Sequence, residues 1–139
     1  MRPIDKIQQE IISDFNLFSD WTQKYEYLID LGKDLKILDA KHKTEENLIK
    51  GCQSNVWLIA KKEKNNIVFN ADSDAIMTKG IIALLIKILS NQTPKDITNC
   101  DLFFIKKIGL SEHLSTTRAN GLLSMIKQMK LYAYGLENK

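Results

Sequence analysis

Apolar positions recur at helical spacing at both ends of the chain and at strand spacing in the middle. Ile4, Ile7, Ile11 and Phe15 form one stripe at three- and four-residue intervals. Pro3 suits a first helical position, so a helix is predicted from there. Asp20 with Gln23 three residues on is a capping signal. Trp21, Tyr25 and Leu28 give the second helix its face, and Gly32 is placed to end it. Residues 33–45 are polar without a clear period and predict a loop with some ordered pieces.

The middle reads as strands. Asn47 to Lys50, Val56 to Ala60 and Ile67 to Phe69 are short runs rich in apolar residues, the last two joined by the turn signal Lys64-Asn65-Asn66. They predict a three-stranded antiparallel meander. Beyond it, Asp72 or Ser73 caps a helix through Ile76, Ile81, Ile82, Leu84, Leu85, Ile86, Ile88 and Leu89. That helix is apolar nearly all round and is expected at the centre of the core. Thr93-Pro94-Lys95-Asp96 starts another helix. Asp101 is expected to cap a short one over Leu102 to Ile108, closed by Gly109. Ser115 opens the last helix, with Leu122, Met125, Ile126, Met129 and Ala133 on its inner face. The expectation is an α+β fold: a three-stranded antiparallel sheet packed against several helices, in one domain over 1–139.

Composition narrows the function. With 139 residues and an apolar fraction of 44%, the chain can build one real core. Twenty basic against 17 acidic residues leave a net charge of +3. The lysines are scattered in short groups, so a nucleic-acid partner is not expected. Two cysteines, Cys52 and Cys100, do not make a disulfide framework. No apolar stretch is long enough for a bilayer, since Gly80 to Leu89 is half the required length and carries Lys87. The expected setting is cytoplasmic and reducing, with free thiols and no membrane partner.

The candidate chemistry centres on Gly51-Cys52-Gln53-Ser54, in the predicted connection between the first two strands. Gly51 gives the backbone freedom to turn or move, and Gln53 and Ser54 can hydrogen-bond a sulfur or a local turn. A thiol so placed can be presented to another protein and withdrawn; the bland alternative is a buried cysteine that fills space. No Cys-x-x-Cys or His-x₃-His spacing supports a metal site, and no phosphate-binding loop or nucleophile elbow is present. His113 could pair with Cys52 as a base, or could simply pack or cap beside Leu114. Arg118 lies in the polar run Gly109 to Gly121; it could hold an anion with its fork of donors, or make a surface ion pair. Gly121 inside a helix suggests close approach of another backbone.

Together these residues resemble the SufE family, the sulfur-acceptor partners of cysteine desulfurases. The matching pieces are Lys50-Gly51-Cys52-Gln53-Ser54 with Val56-Trp57, Asp72-Ser73-Asp74, Lys79-Gly80, Gly109-Leu110-Ser111, His113-Leu114-Ser115 and Arg118-Ala119-Asn120-Gly121. They fall in order over the last two thirds of the chain. Thr116 and Asn55 depart from the family's more usual proline and glutamine. The resemblance implies the fold of the iron–sulfur scaffold proteins and a role as sulfur carrier. Cys52 would take persulfide sulfur from a SufS-like cysteine desulfurase, stimulate that enzyme, and deliver to a SufBCD-like iron–sulfur scaffold complex. It implies Gly51, Gln53, Ser54, His113 and Arg118 as loop and support, with Lys50 a further candidate to stabilise the thiolate. No cofactor is implied in this chain, pyridoxal phosphate belonging to the desulfurase. Oligomeric state stays open, a homodimer included. Two other classes stay open beside the carrier: a cluster scaffold that binds metal itself, and a cysteine hydrolase or transferase.

Overall fold

A computed structural model describes residues 2–139, and Met1 lies outside the described residues. The chain runs α1 (Pro3–Asn16), α2 (Trp21–Lys33), β1 (Val56–Glu63), β2 (Asn66–Ser73), α3 (Ile76–Leu89), α4 (Pro94–Asn99), α5 (Phe104–Ile108) and α6 (Thr116–Leu136). Short 3₁₀ turns occupy Ala40–His42, Glu45–Asn47 and Ser111–His113.

The stripe on α1 is buried as its spacing requires, with Ile4, Ile11 and Phe15 in the core and Ile7 at its edge. Asp20 caps α2 by accepting from Gln23 N–H at 2.9 Å. Thr93 and Ser115 cap α4 and α6 in the same way, accepting from Asp96 and Arg118 N–H, each at 3.2 Å. β1 and β2 pair antiparallel from Val56↔Ser73 to Glu63↔Asn66. Val56, Leu58, Ile67, Phe69 and Ala71 turn inward along that ladder and are buried. α3 is the central helix: it contacts α1, α2, α6 and β2.

Four expectations need correction. The sheet has two strands, not three. Residues 47–50 form a single bridge, Leu48↔Trp57, with Ile49 N–H donating to Val56 O at 2.9 Å. The 3₁₀ turn ending at Asn47 precedes that bridge, and Gly51 at φ 94 turns the chain away after it, so no ladder propagates. The start of α3 is not capped by Asp72 or Ser73; β2 runs through Ser73 and the cap position is Ala75. α5 begins at Phe104 rather than Leu102, and Asp101 does not cap it. Instead the fully buried Gln8 of α1 accepts from Phe104 N–H at 3.1 Å and donates to Asp101 O at 3.0 Å. Finally, α2 continues past Gly32 to Lys33. Gly32 marks a crossing, since a Cβ there would stand 2.9 Å from Gly80 N on α3. This pair of glycines brings the two helices to backbone contact and fixes how deep α3 sits.

Candidate functional site

Cys52 sits on the loop between the Leu48 bridge and β1, and both ends of that loop are held. At the entrance, Gly51 has φ 94, a conformation that side chains disfavour. A Cβ there would also press on the Ser124 hydroxyl of α6. At the exit, Asn55 is clamped to the end of β2. Asp74 Oδ1 accepts from Asn55 N–H at 3.1 Å and Asp74 Oδ2 from Asn55 Nδ2 at 3.0 Å. Ser73 Oγ donates to Asn55 O at 2.8 Å. Asp72 ties the same corner, with Lys43 at 2.8 Å and Lys79 at 3.2 Å. Burial pushes its carboxyl up, but hydrogen bonds from Lys43, Ser73 N–H and Lys79 outweigh that, so its pKa is held below the ordinary value.

Between these anchors the thiol of Cys52 rests on α6. It donates to Gly121 O at 3.6 Å, and a Cβ at Gly121 would lie 3.5 Å from the sulfur. The close approach expected at Gly121 is that of the Cys52 loop, whose thiol is nearest and whose Cα would stand 4.0 Å from such a Cβ. Cys52 is half-buried, and burial pushes its thiol above the ordinary cysteine pKa. Burial thus favours the thiol over the more nucleophilic thiolate in the resting loop. Cys100 is buried, donates to Ile97 O at 3.2 Å, and stands at the C-cap of α4, away from this loop.

A pocket of about 330 Å³ adjoins the thiol. Gln53 and Ser54 of the loop, Ser115, Thr117 and Arg118 of the α6 start, and Thr78 of α3 bring polar groups to it. Ile81 and Met125 supply apolar wall. The structure thus brings Arg118 to Cys52's pocket, and Arg118 makes none of the ion pairs found among the described residues. His113 is not part of the pocket lining. Its ring stacks on Trp21 at 4.0 Å and its Nδ1 bonds Gly109 O at 2.9 Å, so it packs the segment that leads into α6. Lys50 points into a separate groove with Glu46, Lys127 and Gln128. The lining contains no carboxylate and no imidazole. Among the described residues no group of three His, Cys, Asp or Glu side chains could hold a metal ion. No helix there is long and apolar enough to cross a membrane.

Sequence reasoning missed Thr78. The signal was present as the one hydroxyl in a helix that reads as apolar nearly all round from Ile76 to Leu89, Lys79 and Lys87 apart.

A family model described as SufE, an Fe-S metabolism associated domain, matches residues 9–133. An uncharacterized SufE-like protein of Rhizobium meliloti (strain 1021) is 40% identical over 131 residues, covering 91% of this chain and 94% of that one. SufE-like protein 1, chloroplastic/mitochondrial, of Arabidopsis thaliana is 41% identical over 143 residues; this chain is covered completely and spans 38% of that longer protein. A solution structure of a hypothetical protein from Thermus thermophilus matches with a TM-score of 0.81 over 100% of both chains at 16% identity, which shows a shared fold. The chain belongs to the SufE family.

Proposed function

We propose that this protein accepts persulfide sulfur from a cysteine desulfurase on Cys52 and delivers it to an iron–sulfur assembly complex. One observation carries the reading: a lone cysteine, half-buried, sits on a loop held at both ends beside a polar pocket with no base in it. A cysteine hydrolase needs a base fixed at the thiol. A sulfur carrier needs the opposite, a thiol that stays quiet until its partner arrives.

Transfer is a thiol exchange. The Cys52 thiolate attacks the outer sulfur of the partner's persulfide. A new S–S bond forms at Cys52, the old one breaks, and its electron pair leaves with the partner's thiolate. The proton of Cys52 goes to solvent or to a base of the partner. Because burial disfavours the thiolate in the resting loop, docking must expose Cys52 or supply charge to it. Movement of residues 51–54 between the Gly51 hinge and the Asn55 clamp is the means this fold offers. A partner drives that movement only through its higher affinity for the open loop. Arg118, exposed at the pocket mouth, is the group of this chain suited to meet the anionic sulfur or a partner carboxylate. The desulfurase supplies the pyridoxal phosphate. The expected compartment is reducing and cytoplasmic, where both thiols stay free.

The test is peptide mass mapping after incubation with a desulfurase and free cysteine. Added sulfur is expected on Cys52 and none on Cys100. Cys52→Ser is expected to abolish acceptance and desulfurase stimulation while melting within a few degrees of wild type. Sulfur found on Cys100 alone would sink the proposal.

A further inference from the structure

The resting thiol leaves a question at its own seat. Gly121 O, 3.6 Å from Cys52 Sγ, can only accept a hydrogen bond. It suits a thiol and offers nothing to an anion. Loading follows Cys52–SH + R–S–SH → Cys52–S–SH + R–SH, with no net oxidation. The inner sulfur then carries no hydrogen, and the outer sulfur carries the charge once ionised. The S–S bond sets that outer sulfur about 2 Å beyond Sγ. The adjoining space of about 330 Å³ has room for it.

The donors around that space are not equally fixed. Gln53 and Ser54 travel with the loop. Ser115, Thr117 and Arg118 are exposed, so water competes for them. Thr78 differs: it is 7% exposed and stands on α3, the central helix. Its hydroxyl enters none of the side-chain hydrogen bonds among the described residues. It is not sealed in either, since Thr44 Oγ1 is the one sealed, unpartnered side-chain oxygen among them. It therefore keeps a donor with no protein partner, and valine would fill the same volume without one. Thr78 lines the same pocket as Cys52.

We propose that Thr78 is a positioning residue for the loaded protein, its hydroxyl donating to the outer sulfur of the Cys52 persulfide and holding it in the pocket. This rests on the sulfur-acceptor function above. A donor fixed to a rigid helix holds an anionic sulfur better than a mobile one. Bound there, the sulfur is shielded from stray thiols, which attack it to give R′–S–SH and the Cys52 thiolate.

The experiment loads wild type, Thr78→Val, Thr78→Ala and Thr78→Ser with desulfurase and cysteine. Each is desalted and challenged with a small thiol, and the sulfur remaining on Cys52 is followed by intact mass. Loss is expected roughly tenfold faster in the valine and alanine variants, the scale of one hydrogen bond to a charged group. The serine variant, which keeps the donor, should stay within about twofold of wild type. Loss at the wild-type rate in valine and alanine overturns the role of Thr78 and leaves sulfur acceptance standing. Fast loss in the serine variant as well also overturns it, since packing rather than donation would be the cause. If the valine variant does not fold, the alanine and serine variants decide. Wild type that takes no sulfur on Cys52 overturns the sulfur-acceptor reading itself, and Thr78's role with it.

Discussion

Gly80→Ala tests whether the α2–α3 crossing sets the position of the wall that holds Thr78 and Ile81. A methyl at Gly80 would press on Leu28 O and stand 2.7 Å from Leu28 C and 3.3 Å from Ile29 N. Ordinary contacts of a Cβ begin near 3.4 Å, so the shortfall at Leu28 C is about 0.7 Å. These neighbours are backbone atoms of a helix and cannot rotate aside. Overpacking of this kind costs about 1–3 kcal/mol, and rigid neighbours put Gly80 at the upper end. Alanine's better helix propensity returns about 1 kcal/mol. The net loss is therefore about 2 kcal/mol, or roughly 8 °C in melting temperature for a domain of this size. At Gly32 the nearest atoms are Gly80 N at 2.9 Å and Gly80 Cα at 3.2 Å, a smaller intrusion. Gly32→Ala should lose at most about 1 kcal/mol. The double variant should lose less than the two together, because one separation of the helices relieves both. Calorimetry on the four proteins gives the answer. A Gly80→Ala protein that melts at or above wild type would refute the reasoning.

Two further outcomes follow from the same contacts. Gln8→Ala strips the buried Phe104 N–H and Asp101 O of their partner; a loss of about 3 kcal/mol is expected in urea unfolding, with an unchanged slope. Because burial is what raises the Cys52 pKa, the pH midpoint of its alkylation should lie above that of a free cysteine and stay there in Arg118→Ala, even though that variant transfers sulfur more slowly. The sign for stability runs the same way: the folded state holds this proton longer than the unfolded chain, so the contribution is present below the unfolded thiol pKa and fades as pH rises through the folded one. Cys52→Ser removes that alkaline decline.

Much of the site was legible because its signals are local. A glycine beside a cysteine, a cap three residues before its target and a stripe at helical spacing each depend on residues within one or two turns. Asp20, Thr93 and Ser115 cap where their spacing says they should. The third strand failed for a related reason. Asn47 to Lys50 has strand-like composition, but a ladder needs several consecutive residues facing a partner, and the positive φ of Gly51 ends it after one bridge. Two of the candidate supports stand outside the thiol's pocket: Lys50 lines another groove, and His113 packs on Trp21. Neighbours along a turning chain point in different directions, so adjacency to Cys52 said little about Lys50, and the place of His113, remote in sequence, is set by the fold.

By itself the sequence determined the helices, the hairpin, the cysteine loop and the family, since periodicity, capping and motif order are properties of the chain alone. Tertiary structure decided what those pieces do to one another. It set Cys52 against Gly121 O, brought Thr78 and Arg118 from separate helices to one pocket, and gave the start of α5 to Gln8, 96 residues away. It also turned two helix-weakening glycines, Gly32 and Gly80, into the contact that seats α3. Each of these depends on distances between segments remote in sequence, and those distances are fixed only when the core closes and its buried polar groups must find partners.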